Sequence, residues 1–121
     1  MGCDIHLHQE VKLAGKWHHY ALHSVPRNYE LFGMMAGVRR REEQLFPVKP
    51  WPDDVTFVTL HDWVSWIGNA HTKSWLDKEE IHRLNEHRGR DLGAYVGYCF
   101  GSSWDYSPQA DDVRFIFWFD N

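Results

Sequence analysis

Residues 3–10, Cys-Asp-Ile-His-Leu-His-Gln-Glu, open with strict alternation: Cys3, Ile5 and Leu7 fall on one parity and Asp4, His6, His8 and Glu10 on the other. A period of two predicts a β-strand with one core face and one face carrying two imidazoles and two carboxylates. The strand runs to about Leu13, Ala14-Gly15 supplies a turn, and residues 16–22 return as the second strand of a hairpin. On that return strand Trp17, His19 and Ala21 share one face and His18, Tyr20 and Leu22 the other, so the register decides which of His18 and His19 joins His6 and His8.

Beyond Pro26, Asn28 is placed to cap a helix over 29–35, with Leu31, Phe32 and Met35 at helical spacing and Gly37 at its C-terminal end. Residues 39–43, Arg-Arg-Arg-Glu-Glu, read as a solvated loop or helix end whose basic half could bind phosphate. Pro47, Pro50 and Pro52 force an extended loop, which Phe46, Val48 and Trp51 give something to bury. Pro52-Asp53-Asp54 then marks the start of a helix, with Val55, Val58, Trp63, Trp66 and Ile67 as its apolar stripe and Gly68 as its end. A strand over 55–60 is the competing reading. Ser74, followed three residues later by Asp77, resembles a capping signal for a third helix to about His87, closed by Gly89. That leaves His71 in a loop before a helix N-terminus, where backbone amides favour an anion. Strands over 94–100 and 112–120 finish the chain, and the last is apolar on both faces, as a central strand or one covered by another subunit would be. The sum is one α+β domain over residues 1–121: an antiparallel sheet containing the N- and C-terminal strands, with two or three helices packed on it.

Composition narrows the function. The 121 residues, 43% hydrophobic with seven Trp, seven Phe and five Tyr, are enough for a real core without disulfide or metal staples. A net charge of −4 repels a polynucleotide backbone and gives no steering toward anionic membranes, so neither bulk nucleic acid nor a membrane is expected as a partner. Two cysteines, Cys3 and Cys99, make no disulfide framework, and with no apolar signal segment before the first strand a cytoplasmic protein is expected. Cys3, alternating with Ile5 and Leu7, reads as a buried small hydrophobe rather than a nucleophile.

Nine histidines are an excess large enough to weigh. His82 and His87 lie among charged residues and read as solvated. The useful subset is Asp4, His6, His8 and His71, with one of His18 and His19, and with Asp62, Asp111 and Asp112 as carboxylates that folding could bring in. One pocket follows from it: floored by Asp4, His6, His8 and Glu10, closed by His71, walled by tryptophans such as Trp75, with Arg27, Arg39 and Arg40 to hold phosphate. A small anionic, nucleotide-like ligand suits such a pocket. The alternative is a divalent-metal phosphoester hydrolase in which zinc or manganese is held by Asp4, His6, His8 and His71, with Glu10 as catalytic general base. A third possibility is an interaction protein that uses its aromatic last strand as a dimer or a cap on another complex.

Two resemblances bear on these expectations. Asp4-Ile5-His6-Leu7-His8 resembles the Asp-x-His-x-His strand that opens the polymerase-and-histidinol-phosphatase metal phosphoesterases, and its His-x-His the first strand of amidohydrolases, which implies a metal-ligand role for His6 and His8. Most of the chain resembles a family of small uncharacterised bacteriophage and prophage proteins. The shared residues are the start Met1-Gly2-Cys3-Asp4-Ile5-His6 with Glu10, then Arg27-Asn28-Tyr29, Leu31-Phe32, Ala36-Gly37-Val38-Arg39, residues 50–53, and His71 with Ser74-Trp75-Leu76. In that family the position of His8 is often aromatic, which moves weight toward Asp4, His6, Glu10 and His71. The resemblance implies an accessory protein in the host cytoplasm that binds a host factor or captures a nucleotide, with a counter-defence role and a homo-oligomeric state both open.

Overall fold

A computed structural model describes residues 2–39, 43–91 and 110–121. The elements run β1 (Asp4–Leu13), β2 (Lys16–His23), α1 (Tyr29–Ala36), α2 (Phe57–Trp66), β3 (Ala70–Leu76), α3 (Lys78–Asp91) and β4 (Asp112–Asp120). The four strands form one antiparallel sheet in the order β2-β1-β4-β3, so the N- and C-terminal strands lie side by side at its centre and the fold is α+β. No helix among the described residues is long and apolar enough to cross a membrane.

Local chemistry accounts for the hairpin and α1. Ala14 and Gly15 both take positive φ, 50° and 78°, the pair of left-handed residues that a two-residue turn needs to match strand twist. Asn28 Oδ1 accepts from the Leu31 amide at 3.1 Å, and Gly37 ends α1 in the left-handed conformation, where a side chain would be strained. The β1–β2 register shifts between Gln9, opposite Ala21, and Glu10, opposite His19, so Tyr20 forms a bulge. The bulge settles the histidine question: His19 pairs with Glu10 and joins its face, while His18 pairs with Val11 on the other.

One face of the sheet carries Ile5, Leu7, Val11, Phe115, Phe117 and Phe119, which pack with Leu31, Phe32 and Met35 of α1 and with Ile81 and Leu84 of α3 into the main core. The opposite face carries His6, His8, Glu10, Arg114 and Trp118 and is covered by α2. β4 is therefore central and buried on both sides, which explains its doubly apolar sequence. The aromatic last strand offers no surface for a partner: Trp118 is wholly inaccessible.

Three expectations are corrected. Residues 70–76 form an edge strand rather than a loop, so His71 does not sit at a helix N-terminus. The strand was hidden because Thr72 has φ of 55° and the register slips between His71 and Ser74, which destroys the alternation. Asp77, not Ser74, starts α3: Glu80 N donates to Asp77 Oδ1 at 2.9 Å and Asp77 N to Glu80 Oε1 at 3.0 Å, a reciprocal capping box, while Ser74 Oγ accepts from the Lys49 amide. Residues 55–60 do not form a strand, since α2 begins at Phe57. The expected strand over 94–100 lies outside the described residues.

Candidate functional site

The polar row of β1 is matched, residue against residue, by α2. Glu10 meets Thr56 and Thr59, His8 meets Asp62, and His6 meets Trp66. Same-face strand residues recur about every 6.8 Å, and helix residues three or four apart are displaced by about 4.5–6 Å along the axis, so the two rows stay nearly in step when the elements run in opposite directions.

Glu10 is completely buried, and both its oxygens are engaged. Oε2 accepts from the Thr56 amide at 3.0 Å, Thr56 Oγ1 at 2.6 Å and Thr59 Oγ1 at 2.8 Å; Oε1 accepts from Arg114 Nε at 2.8 Å. A carboxylate at the N-terminus of α2 also complements the helix dipole. Arg114 donates further to Asp54 Oδ1 at 2.9 Å and to the Asp54 carbonyl at 3.0 Å, and its guanidinium lies 3.9 Å over the Trp17 ring. A general base must reach a substrate proton. Glu10 is instead spent on holding a strand to a helix.

His8, 1% exposed, bridges β2 and α2: its Nε2 lies 2.8 Å from Asp62 Oδ2 and its Nδ1 2.9 Å from His19 Nε2. An ionised carboxylate only accepts, so His8 Nε2 carries hydrogen and a neutral His8 takes its second bond at Nδ1 from His19 Nε2–H. Burial pushes His8 and His19 below the ordinary histidine range, and the Asp62 carboxylate opposes that only in part at His8. His6 is held between Trp66, centroids 4.4 Å apart, and Trp118, 5.3 Å apart and nearly parallel, with its Nε2 on Asp120 Oδ2. Trp51 and Trp63 also pack on Trp118, with centroids 5.9 and 5.4 Å away. The tryptophans fill the space over the histidine row rather than walling an open slot.

The remaining candidates are dispersed. Asp4 takes a two-point ion pair from Arg27 at 2.7 and 3.2 Å; this guanidinium holds the Asp4 carboxyl below the usual range, and Arg27 is raised in turn. Burial pushes the Cys3 thiol up, as suits a core residue. Asp4, His6 and His23 border an open cleft of about 430 Å³. Arg39 stacks on Tyr29. Trp75 donates Nε1–H to the Pro50 carbonyl at 2.9 Å beneath the Lys49 ammonium. His71 pairs with Phe119, whose neighbour Trp118 pairs with His6, so His71 projects from the opposite face of the sheet to His6 and His8. It hydrogen-bonds Thr72 and Asn121. Asp4, His6, His8 and His71 thus form no single donor set for zinc or manganese, and among the described residues no group of three or more His, Cys, Asp or Glu side chains is placed to hold a metal.

No protein-family model, curated protein or solved structure matches the chain.

The outward side of α2 is the remaining chemical feature. The helix turns Thr59 and Asp62 inward and leaves Phe57, Leu60, Val64 and Ile67 outward, with Phe57 77%, Val64 63% and Ile67 59% exposed. Six of the ten large exposed hydrophobics among the described residues lie between positions 57 and 67. Helices on a sheet ordinarily bury their apolar stripe. Here the docking side carries Thr59 and Asp62 beside Trp63 and Trp66, and four large apolar side chains face solvent. Asp62 and the pair His18/His19 are among the candidates the sequence offers; Thr56, Thr59, Arg114 and Asp120 are not. Arg114 carried a usable signal: a lone charge inside Val-Arg-Phe-Ile-Phe-Trp-Phe must find a buried carboxylate.

Proposed function

We propose that the protein is a non-catalytic binding protein that engages an apolar helix face on another protein chain through the outer side of α2. The observation that carries this is the uncharged stripe Phe57, Leu60, Val64 and Ile67 on a helix whose Thr59 and Asp62 are occupied by the sheet. Exposed apolar patches of this extent on a small domain mark interaction sites. A phage-type accessory protein acting on a protein partner in the host cytoplasm would need such a surface and no catalytic group. The test is binding of a hydrophobic dye at concentrations dilute enough to keep the chain monomeric. Wild type is expected to bind dye and the double variant Val64→Asp/Ile67→Asp to bind little. A wild type that binds none at any dilution contradicts the proposal, because its own chain would then cover α2.

One observation favours a second reading, capture of a small anionic, nucleotide-like ligand: the cleft beside Asp4, His6 and His23 is within the size range of small-molecule sites, and Arg27 stands next to it. A rise in melting temperature with nucleotides or inorganic phosphate, lost in His6→Ala and Arg27→Ala, would support it. Hydrolysis at a zinc or manganese centre has no comparable support, since His71 projects from the face opposite His6 and His8.

A further inference from the structure

We infer that the chain covering α2 is a second copy of this protein, two α2 helices packing antiparallel about a two-fold axis, an inference that rests on α2 being a protein-binding face and adds what binds it. Spacing is the first support. Phe57, Leu60, Val64 and Ile67 recur at intervals of three, four and three, one side of a helix and the repeat of a seam that packs against a helix like itself. A two-fold contact must be self-complementary, residue i of one copy meeting j of the other and j meeting i. An antiparallel crossing centred between Leu60 and Val64 satisfies that: Phe57 of one copy falls beside Ile67 of the other, and Leu60 beside Val64.

Charge is the second. A chain of net charge −4 repels its own copy wherever acidic side chains meet. Within α2 the ionisable residues are His61 and Asp62, and Asp62 is bound inward to His8. Asp53 and Asp54 precede the helix, but a ten-residue helix is about 15 Å long, so the antiparallel arrangement holds the two acidic pairs at opposite ends. It also sets opposite ends of the two helix dipoles side by side.

Area is the third. Phe57, Leu60, Val64 and Ile67 leave on the order of 500 Å² of surface uncovered, so two copies packed through this stripe would bury about 1,000 Å² together, the size at which a specific interface begins.

Sedimentation equilibrium of the tag-free full chain, from low to high micromolar concentration, tests the inference. Wild type is expected at twice 14.4 kDa, dissociating on dilution, while Val64→Asp and, separately, Ile67→Asp run at 14.4 kDa with unchanged far-ultraviolet circular dichroism. Both side chains are largely exposed, so neither substitution removes core packing; the expected loss of association is roughly a hundredfold or more. Val48→Asp, exposed but outside α2, is expected to remain dimeric. A wild type that stays at 14.4 kDa, or a dimer indifferent to both α2 variants, overturns the inference. If that monomer still binds the hydrophobic dye through Val64 and Ile67, α2 remains a binding face for a different chain; if it binds no dye, the proposed function fails with it.

Discussion

Glu10 and Arg114 stand directly opposite one another across the β1–β4 ladder, and the Glu10 carboxylate is shared between that guanidinium and the first turn of α2. Both residues are buried, so neither charge has water as an alternative partner. A strand–strand contact and a strand–helix contact therefore depend on one side chain.

Removing Glu10 leaves Arg114 buried with Asp54 as its remaining carboxylate and strips three acceptor contacts from Thr56 and Thr59. Glu10→Ala and Arg114→Met are each expected to lose about 3–5 kcal/mol in urea denaturation. The double variant is expected to lose clearly less than the sum, because the second substitution removes the stranded charge. Additive losses would show that the pair is not coupled.

Acid sensitivity follows from the histidines. Burial holds His8, His19 and His23 below their ordinary range in the fold, while the unfolded chain protonates them near pH 6.5. Just below that pH the unfolded state binds more protons, so stability is complete above about pH 6.5 and falls as the pH drops toward the folded values. Asp4, held low by Arg27, keeps its stabilising contribution throughout this window and loses it only as the pH falls below about 4. The urea midpoint is expected to be flat above neutrality and to decline from about pH 6.5, with a shallower decline in His8→Phe. A midpoint that rises between pH 6.5 and 5 would contradict the assignment.

Trp118 is wholly buried, and its Nε1–H has no hydrogen-bond partner among the described residues. Trp118→Phe therefore sacrifices ring volume but no hydrogen bond, and its cost is expected to fall well below the roughly 3–5 kcal/mol of Trp118→Ala. Equal costs would mean that the indole N–H is satisfied after all.

His6 and His8 each have a carboxylate partner already, Asp120 and Asp62, so their positions in the fold are accounted for by protein contacts. A chelator is expected to leave the melting temperature unchanged. A fall on chelation, restored by zinc or manganese, would revive a metal centre.

The parts of the fold legible in the sequence are those decided by neighbours along the chain. The β1–β2 hairpin follows from alternation and Ala14-Gly15, α1 from Asn28 and Gly37, and the central position of β4 from its two apolar faces. What was not legible depends on contacts between distant segments. A bulge at Tyr20 chose His19 over His18, and a bulge at Thr72 concealed β3. The orientation of α2 was the least accessible. Its stripe was expected to include Val58 and Ile67 on the buried side, whereas both are exposed, because Thr59 and Asp62 find partners on β1 that no apolar side chain could use. The same polar row of β1 that suggested a ligand site is, in the fold, the surface on which the helix is seated.

That seating is tested most directly by native-state hydrogen exchange in wild type and Asp62→Ala. Loss of the carboxylate deprives buried His8 of its acceptor, a cost of about 1–3 kcal/mol, which should appear as faster exchange of the α2 amides, residues 57–66, while β1 and β4 keep their protection. Unchanged protection across α2 would contradict the claim that the polar row of β1 holds the helix with its apolar side outward.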